Sequence, residues 1–162
     1  MVDAYDVCMT STRWLDDEEQ RAWRTYLFAS SLLHEHFSQV LEQTPDIDLS
    51  LPEYEILVRL SEAEGRHLRM SELAEQIVHS RSRLTHTVAR LERRGYVERI
   101  RCANDGRGRE AHLTDVGYAA LEYAAPHHVA SVIEHFIDVV GRDDFLQLGR
   151  IMHKVLVAHD ED

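Results

Sequence analysis

Guanidinium groups are crowded into one stretch of this chain. Residues 66–109 hold 11 arginines against five acids, a local balance of +6, whereas the 162-residue chain as a whole carries a formal net charge of -11. An arginine presents a planar fork of donors that fits a phosphate, or the O6 and N7 acceptors of guanine, with two hydrogen bonds at once. A polyanion responds to a basic block at close range more than to distant acids, because salt screens charge over about 8 Å at physiological ionic strength. The distribution therefore points to nucleic acid, and the acidic remainder weakens indiscriminate sticking without removing the basic face.

Other residue types that do chemistry are present without a matching pattern. Eleven histidines occur, but His34 and His36 stand two apart on what reads as a helix and diverge, as do the adjacent His127 and His128. No cysteine–histidine cluster or H-E-x-x-H motif accompanies them, so neither a metal nor another cofactor is expected. A phosphate-cradling glycine loop and a G-x-S-x-G elbow are missing as well, and the reading is not an enzyme. Two cysteines are too few for a disulfide scaffold. Cys8 lies in the acid-containing "YDVCMT", which disfavours a thiolate, whereas Cys102 adjoins Arg101 and Arg99 in more electropositive surroundings.

These groups must be carried by elements, and the hydrophobic spacing says which. Low glycine and proline counts, seven and three, suit helices better than a turn-rich sandwich. "RWLDDEEQRAWRTYLFASSLLHEHFSQVLEQT" opens at Asp16 or Asp17 as an amphipathic helix with Trp23, Tyr26, Leu27, Leu33, Phe37 and Leu41 on its stripe, ending before Pro45. "LPEYEILVRLSEAEG" is a second helix with Pro52 in its first turn. "HLRM" is a short strand candidate, and "SELAEQIV" a short helix capped by Ser71. "SRSRLTHTVARLERRG" is a third short helix stopped by Gly95. "YVERIRC" and "EAHL" then flank "ANDGRGR", whose composition is that of a hairpin tip. From the cap Thr114 the chain is helical again, with a bend expected at Pro126, and the final helix carries Phe145, Leu148, Ile151, Met152, Val155 and Leu156.

Within the third short helix, Leu84, Val88 and Leu91 form a narrow seam for burial while Ser82, His86, Arg90 and Arg93 fall on the other side and Arg83 borders them. A helix so divided, preceded by a short packing helix, is what a major groove accepts. Ser82, Arg83, His86 and Arg90 are the candidates for base edges. Arg93 and Arg94, in the last turn, complement the helix dipole and reach towards phosphate. Arg107 and Arg109 project from the hairpin, a width suited to a minor groove, and Asp105, the only acid between Arg99 and Arg109, serves to hold an arginine or to cap the turn.

The run "MSELAEQIVHSRSRLTHTVARLERRGYVERIRCANDGRGREAHLTDVG", Met70 to Gly117, resembles the MarR family of bacterial winged helix-turn-helix regulators. "LERRGYVER", an Asp- and Arg-bearing wing and "LTDVG", in that order, carry the resemblance, and "DGRGR" stands where the family more often has Asp-Pro-Arg-Asp. The resemblance implies a mainly α fold with a small β-hairpin wing. It divides the chain into an N-terminal dimerisation helix (1–50), a winged DNA-binding lobe (51–113) and C-terminal dimerisation helices (114–162). It further implies a homodimer on a pseudo-palindromic double-stranded operator, with Ser82, Arg83, Thr85, His86 and Arg90 on or beside the recognition helix and Asp105 with Arg107 or Arg109 in the wing. Family members usually repress transcription, and many release DNA in response to small aromatic or amphipathic compounds or oxidants.

The dimer is also expected from burial: the first and last helices both have broad apolar faces that a small middle lobe cannot cover. An effector cleft is expected to draw on Trp23, Tyr26, His34, Phe37 and Tyr54, since an amphipathic ligand needs apolar walls with few donors. Such a ligand would act by favouring a half-site spacing unlike that of DNA. With no apolar run long enough to span a bilayer and no signal-like start, a soluble cytoplasmic protein with no membrane association is expected. The competing readings are a helical interaction protein without specific DNA binding, and a redox-responsive regulator using Cys102 or Cys8.

Overall fold

The computed structural model describes residues 13–77, 81–101 and 108–160. By internal contacts the chain divides into two compact units, residues 1–34 and 35–162. The order of elements is α1 (Asp17–Glu42), α2 (Leu51–Glu62), a 3-10 turn (Glu64–Arg66), β1 (His67–Arg69), α3 (Met70–Gln76), α4 (Arg81–Arg93), β2 (Val97–Arg101), β3 (Arg109–Leu113) and α5 (Asp115–Val132). A π-helical turn (Ile133–Ile137), the short α6 (Asp138–Val140) and α7 (Arg142–Asp160) complete it. The three strands form one antiparallel sheet in the order β1-β3-β2. Its register pairs His67 with His112, Leu68 with Ala111, Val97 with Leu113 and Arg101 with Arg109.

Helix starts follow from local side-chain chemistry. Asp16, of the two candidates, caps α1: its Oδ1 accepts the N–H groups of Glu18 and Glu19, both at 2.8 Å, and Glu19 returns to the Asp16 N–H at 3.0 Å. The α3 start differs from expectation. It opens at Met70, with Glu72 accepting the Arg69 N–H at 3.0 Å, so Ser71 is already inside the helix. Continuity of chain direction from β1 into α3 explains the earlier start, because Arg69 is at once the last strand residue and the helix cap. α5 runs through Pro126 uninterrupted to Val132, and the backbone irregularity comes later, as the π-helical turn.

The end of α4 accounts for much of the "RRGY…LTDVG" pattern. Gly95 takes φ +71°, and its N–H donates to Glu92 O at 3.0 Å while the Tyr96 N–H donates to Leu91 O at 3.0 Å. These are the two closing bonds of a Schellman motif, which needs a residue that tolerates positive φ. Thr114 then docks on that turn: its hydroxyl lies 2.6 Å from Gly95 O and 3.1 Å from Tyr96 O, and accepts the Gly117 N–H at 3.0 Å. A Cβ on Gly117 would stand 2.1 Å from Tyr96 O, so only glycine allows α5 to begin against the base of the hairpin.

The core is centred on α2, whose Leu51, Tyr54, Ile56, Leu57 and Leu60 are all buried, and it extends through Leu73, Leu84, Val88, Leu91, Val97, Ala111, Leu113, Leu121 and Ala124. Alternation along β3 places Ala111 and Leu113 on the core side. No helix among the described residues is long and apolar enough to cross a membrane.

Candidate nucleic-acid interface

The seam expected on α4 is its buried face. Leu84 is 2% exposed and Val88 and Leu91 are 0%, whereas Ser82, Arg83, Thr85 and His86 are exposed on the other side. Burying three aliphatic side chains at about 1.5–3 kcal/mol each holds the helix on the lobe. Thr87, half-buried, donates its hydroxyl to Arg83 O at 3.0 Å, and Arg93, exposed in the last turn, donates to Ala89 O at 3.4 Å.

Arg90 and Arg94 are engaged within the lobe. Glu53, in the first turn of α2, is fully buried. Its Oε2 accepts the Ser50 N–H and hydroxyl, each at 2.9 Å. Arg90 Nη2 donates to the same oxygen at 3.5 Å, and Arg90 Nε lies 3.1 Å from Oε1 without hydrogen-bond alignment. Arg94 Nη1 stands 3.6 Å from Oε2, while the same guanidinium donates to the Asp48 carbonyl and, at 2.7 Å, to its carboxylate. Arg94 is about three-quarters buried and Arg90 half-exposed. A buried carboxylate left alone would be costly, and these partners are what make its burial tolerable.

The wing base is tied to α4 by a second pair. Arg99 on β2 donates to Glu92 Oε2 from Nε at 2.9 Å and from Nη2 at 2.6 Å. That side-chain bond, opposed by burial and aided by the charges of Arg99 and Arg109, holds the Glu92 carboxyl below the usual carboxylate range. Arg109 opens β3 and is exposed. Beside it a cleft of about 380 Å³ is lined by Arg69, Met70, Ser71, Thr85, Arg99, Gly108 and Arg109. Residues from β1 and the start of α3, from α4 and from both wing strands thus border one cleft, three of them arginines and two of them hydroxyl-bearing. Asp105, Arg107 and Cys102 lie outside the described residues, as does Cys8.

Two contributors escaped the sequence reading of individual sites: Arg69, counted only as part of the basic block, and Glu53. The spacing Ser50-x-x-Glu53 ahead of an apolar run is a capping-box signal, but its reach to Arg90 and Arg94 requires the α2–α4 packing.

Trp23 and Tyr26 stack with centroids 5.7 Å apart and are half-exposed, and His34 is exposed. Phe37 and Tyr54 both face His128, with centroids at 5.6 Å and 4.7 Å. Burial raises the Tyr54 hydroxyl above its ordinary range and lowers His128 below its own, and His128 Nδ1 is buried without a hydrogen-bond partner. Among the described residues no group of three or more His, Cys, Asp or Glu is arranged to hold a metal ion.

A helix pair whose second member turns a polar, basic face outward, followed by a two-stranded wing, defines a winged helix-turn-helix DNA-binding protein. Comparison with known proteins makes the class specific. A family model described as "MarR family" matches residues 47–108. An uncharacterized HTH-type transcriptional regulator of Bacillus cereus is 30% identical over 108 residues, covering 67% of this chain and 70% of the relative. The crystal structure of Sco3205, a MarR family transcriptional regulator from Streptomyces coelicolor in complex with DNA, is 41% identical with a TM-score of 0.84 over 91% of each chain. AbsC, a MarR family transcriptional regulator from the same organism, is also 41% identical, with a TM-score of 0.84 over 93% of this chain and 100% of its own. The chain belongs to the MarR family of winged helix-turn-helix transcriptional regulators, DNA-binding proteins and not enzymes.

Proposed function

We propose that two copies of this chain form a homodimer that grips a pseudo-palindromic operator, each copy laying α4 in a major groove and its wing along the neighbouring backbone or minor groove. The observation that carries this reading is the outward face of Ser82, Arg83, Thr85 and His86, mounted on a fully buried seam and adjoining the cleft where Arg69, Arg99 and Arg109 converge. Arg83 is the side chain best suited to a guanine edge, and Arg109 to a phosphate or the minor groove, in company with Asp105 and Arg107 just before it in the sequence. Arg93 serves the backbone. The complex of Sco3205 with DNA, at 41% identity, supports carrying DNA binding to this chain.

Dimerisation is supported by apolar surface. Ile151, Val155, Leu156 and Val157 of α7 are 43–57% exposed, and Trp14 and Phe28 at the other end of the chain are 84% and 74% exposed. Paired across a two-fold axis, such faces are buried and two α4 helices come to lie about one helical turn of DNA apart.

The regulatory reading is repression relieved by a small aromatic or amphipathic ligand. Phe37, Tyr54 and the unpartnered His128 Nδ1 give apolar walls and one polar handle, and Trp23, Tyr26 and His34 are further candidates. Selection of duplexes from a random pool by the full-length protein, followed by challenge of the complex with aromatic acids, tests both parts. An enriched palindrome whose complex is dissolved by one such acid is the expected result. A pool that stays random at low salt overturns the DNA-binding role, and an enriched duplex that no amphipathic compound releases overturns the effector role alone.

A further inference from the structure

The buried ion cluster at the α2–α4 contact goes beyond helix capping. Glu53 has no exposed surface, and its own helix start occupies its Oε2, through the Ser50 N–H and hydroxyl. Arg90 Nη2, at 3.5 Å, and Arg94 Nη1, at 3.6 Å, approach that same Oε2, and Arg90 Nε lies 3.1 Å from Oε1. These two arginines stand four residues apart, one turn of helix. Apart from the Glu92–Arg99 pair that ties the end of α4 to β2, the rest of its contact with the lobe, through Leu84, Val88 and Leu91, is aliphatic. Aliphatic contact is non-directional and leaves small rotations of the helix about its axis nearly isoenergetic. Charge attraction between one fixed carboxylate and two points one turn apart weakens as either point moves away, and so restricts that freedom.

We propose that Glu53 is a positioning residue for DNA recognition: it fixes the azimuth of α4, and with it the direction in which Ser82, Arg83 and His86 face the groove. On this view Arg90, a sequence-level candidate for a base edge, contributes through Glu53, and buried ionic contact supplies register more than net stability. The inference rests on the DNA-binding reading above.

The test compares the wild-type chain with Glu53→Gln, Arg90→Gln and the double variant, using the duplex selected by the wild type and a scrambled duplex of equal length. Glutamine keeps the shape of Glu53 and an acceptor for the Ser50 N–H while removing the charge. The expected outcome is about a tenfold fall in the ratio of operator to scrambled affinity for each single variant. Base preference should broaden at every position beneath α4, the double variant should be no worse than either single one, and the salt slope of scrambled binding should not fall. A merely structural contribution would lower both affinities together and leave the ratio unchanged. An unchanged ratio in folded Glu53→Gln overturns the proposal, as does an Arg90→Gln effect confined to one base pair and additive with Glu53→Gln. If Glu53→Gln does not fold, Arg90→Gln and Arg94→Gln decide by the same criterion: broadening across positions supports the proposal, and a change at one position or none overturns it. A wild-type chain that enriches no duplex removes the DNA-binding reading itself and this proposal with it, a result distinct from an unchanged ratio.

Discussion

α4 and α7 are both amphipathic, and the chain treats them in opposite ways. Leu84, Val88 and Leu91 of α4 are at most 2% exposed, whereas Ile151, Val155, Leu156 and Val157 of α7 are 43–57% exposed. α4 sits over the α2 core with its polar side outward, which completes its hydrophobic requirements within one copy and puts Ser82, Arg83 and His86 on the exposed side. α7 has an apolar side that one copy leaves largely in water. The difference separates two kinds of surface: one prepared for a polyanion, the other for a second apolar face.

Breaking the buried side of this comparison should have the largest effect. Leu91→Ala removes a 0% exposed side chain and should cost about 2–5 kcal/mol of unfolding free energy in urea titration. Val155→Glu on α7 should leave a folded lobe by circular dichroism yet shift sedimentation towards the monomer. Operator affinity should then fall about a hundredfold or more, because each half-site contact would be made alone. If that variant sediments and binds as the wild type does, α7 is not the face that joins two copies.

Smaller effects sharpen the polar side. Arg83→Ala should cost about 1–3 kcal/mol and relax preference at one base-pair position, read by competition with single-substituted operators. Arg109→Gln should lower affinity evenly across sequences and reduce the slope of log affinity against log salt by about one, if phosphate is its partner. A base-specific change in its place would put Arg109 in the minor groove.

The smallest expected effect is on pH dependence. Burial depresses His128 below its ordinary value of 6.5, so in the acid range the unfolded chain binds this proton more readily than the folded one. The neutral ring's contribution is complete above about pH 6.5 and is lost as pH falls through the depressed value. The melting temperature should therefore decline on acidification from pH 7 to 5, and His128→Phe should flatten part of that decline.

Much of this arrangement was legible in residue order. The α4 seam follows from the spacing of Leu84, Val88 and Leu91, the wing strands from "YVERIRC" and "EAHL", and the cap of α5 from Thr114. Each depends on neighbours within a few residues, where periodicity and capping chemistry operate. Ser71 was the exception at a helix start, because β1 runs directly into α3 and passes the capping position to Arg69.

What the linear chain determined is therefore local: which segments are helical, which face of each is apolar, where basic charge collects, and hence that a nucleic acid is the partner of the middle lobe. Only the tertiary structure decided how individual arginines are used. Glu53 and Arg90 are 37 residues apart and Asp48 and Arg94 are 46 apart, and nothing in residue spacing reveals which guanidinium meets a buried carboxylate and which remains at the surface. That allocation follows from packing α2 against α4, since a buried charge must find its partner wherever the fold brings one within reach.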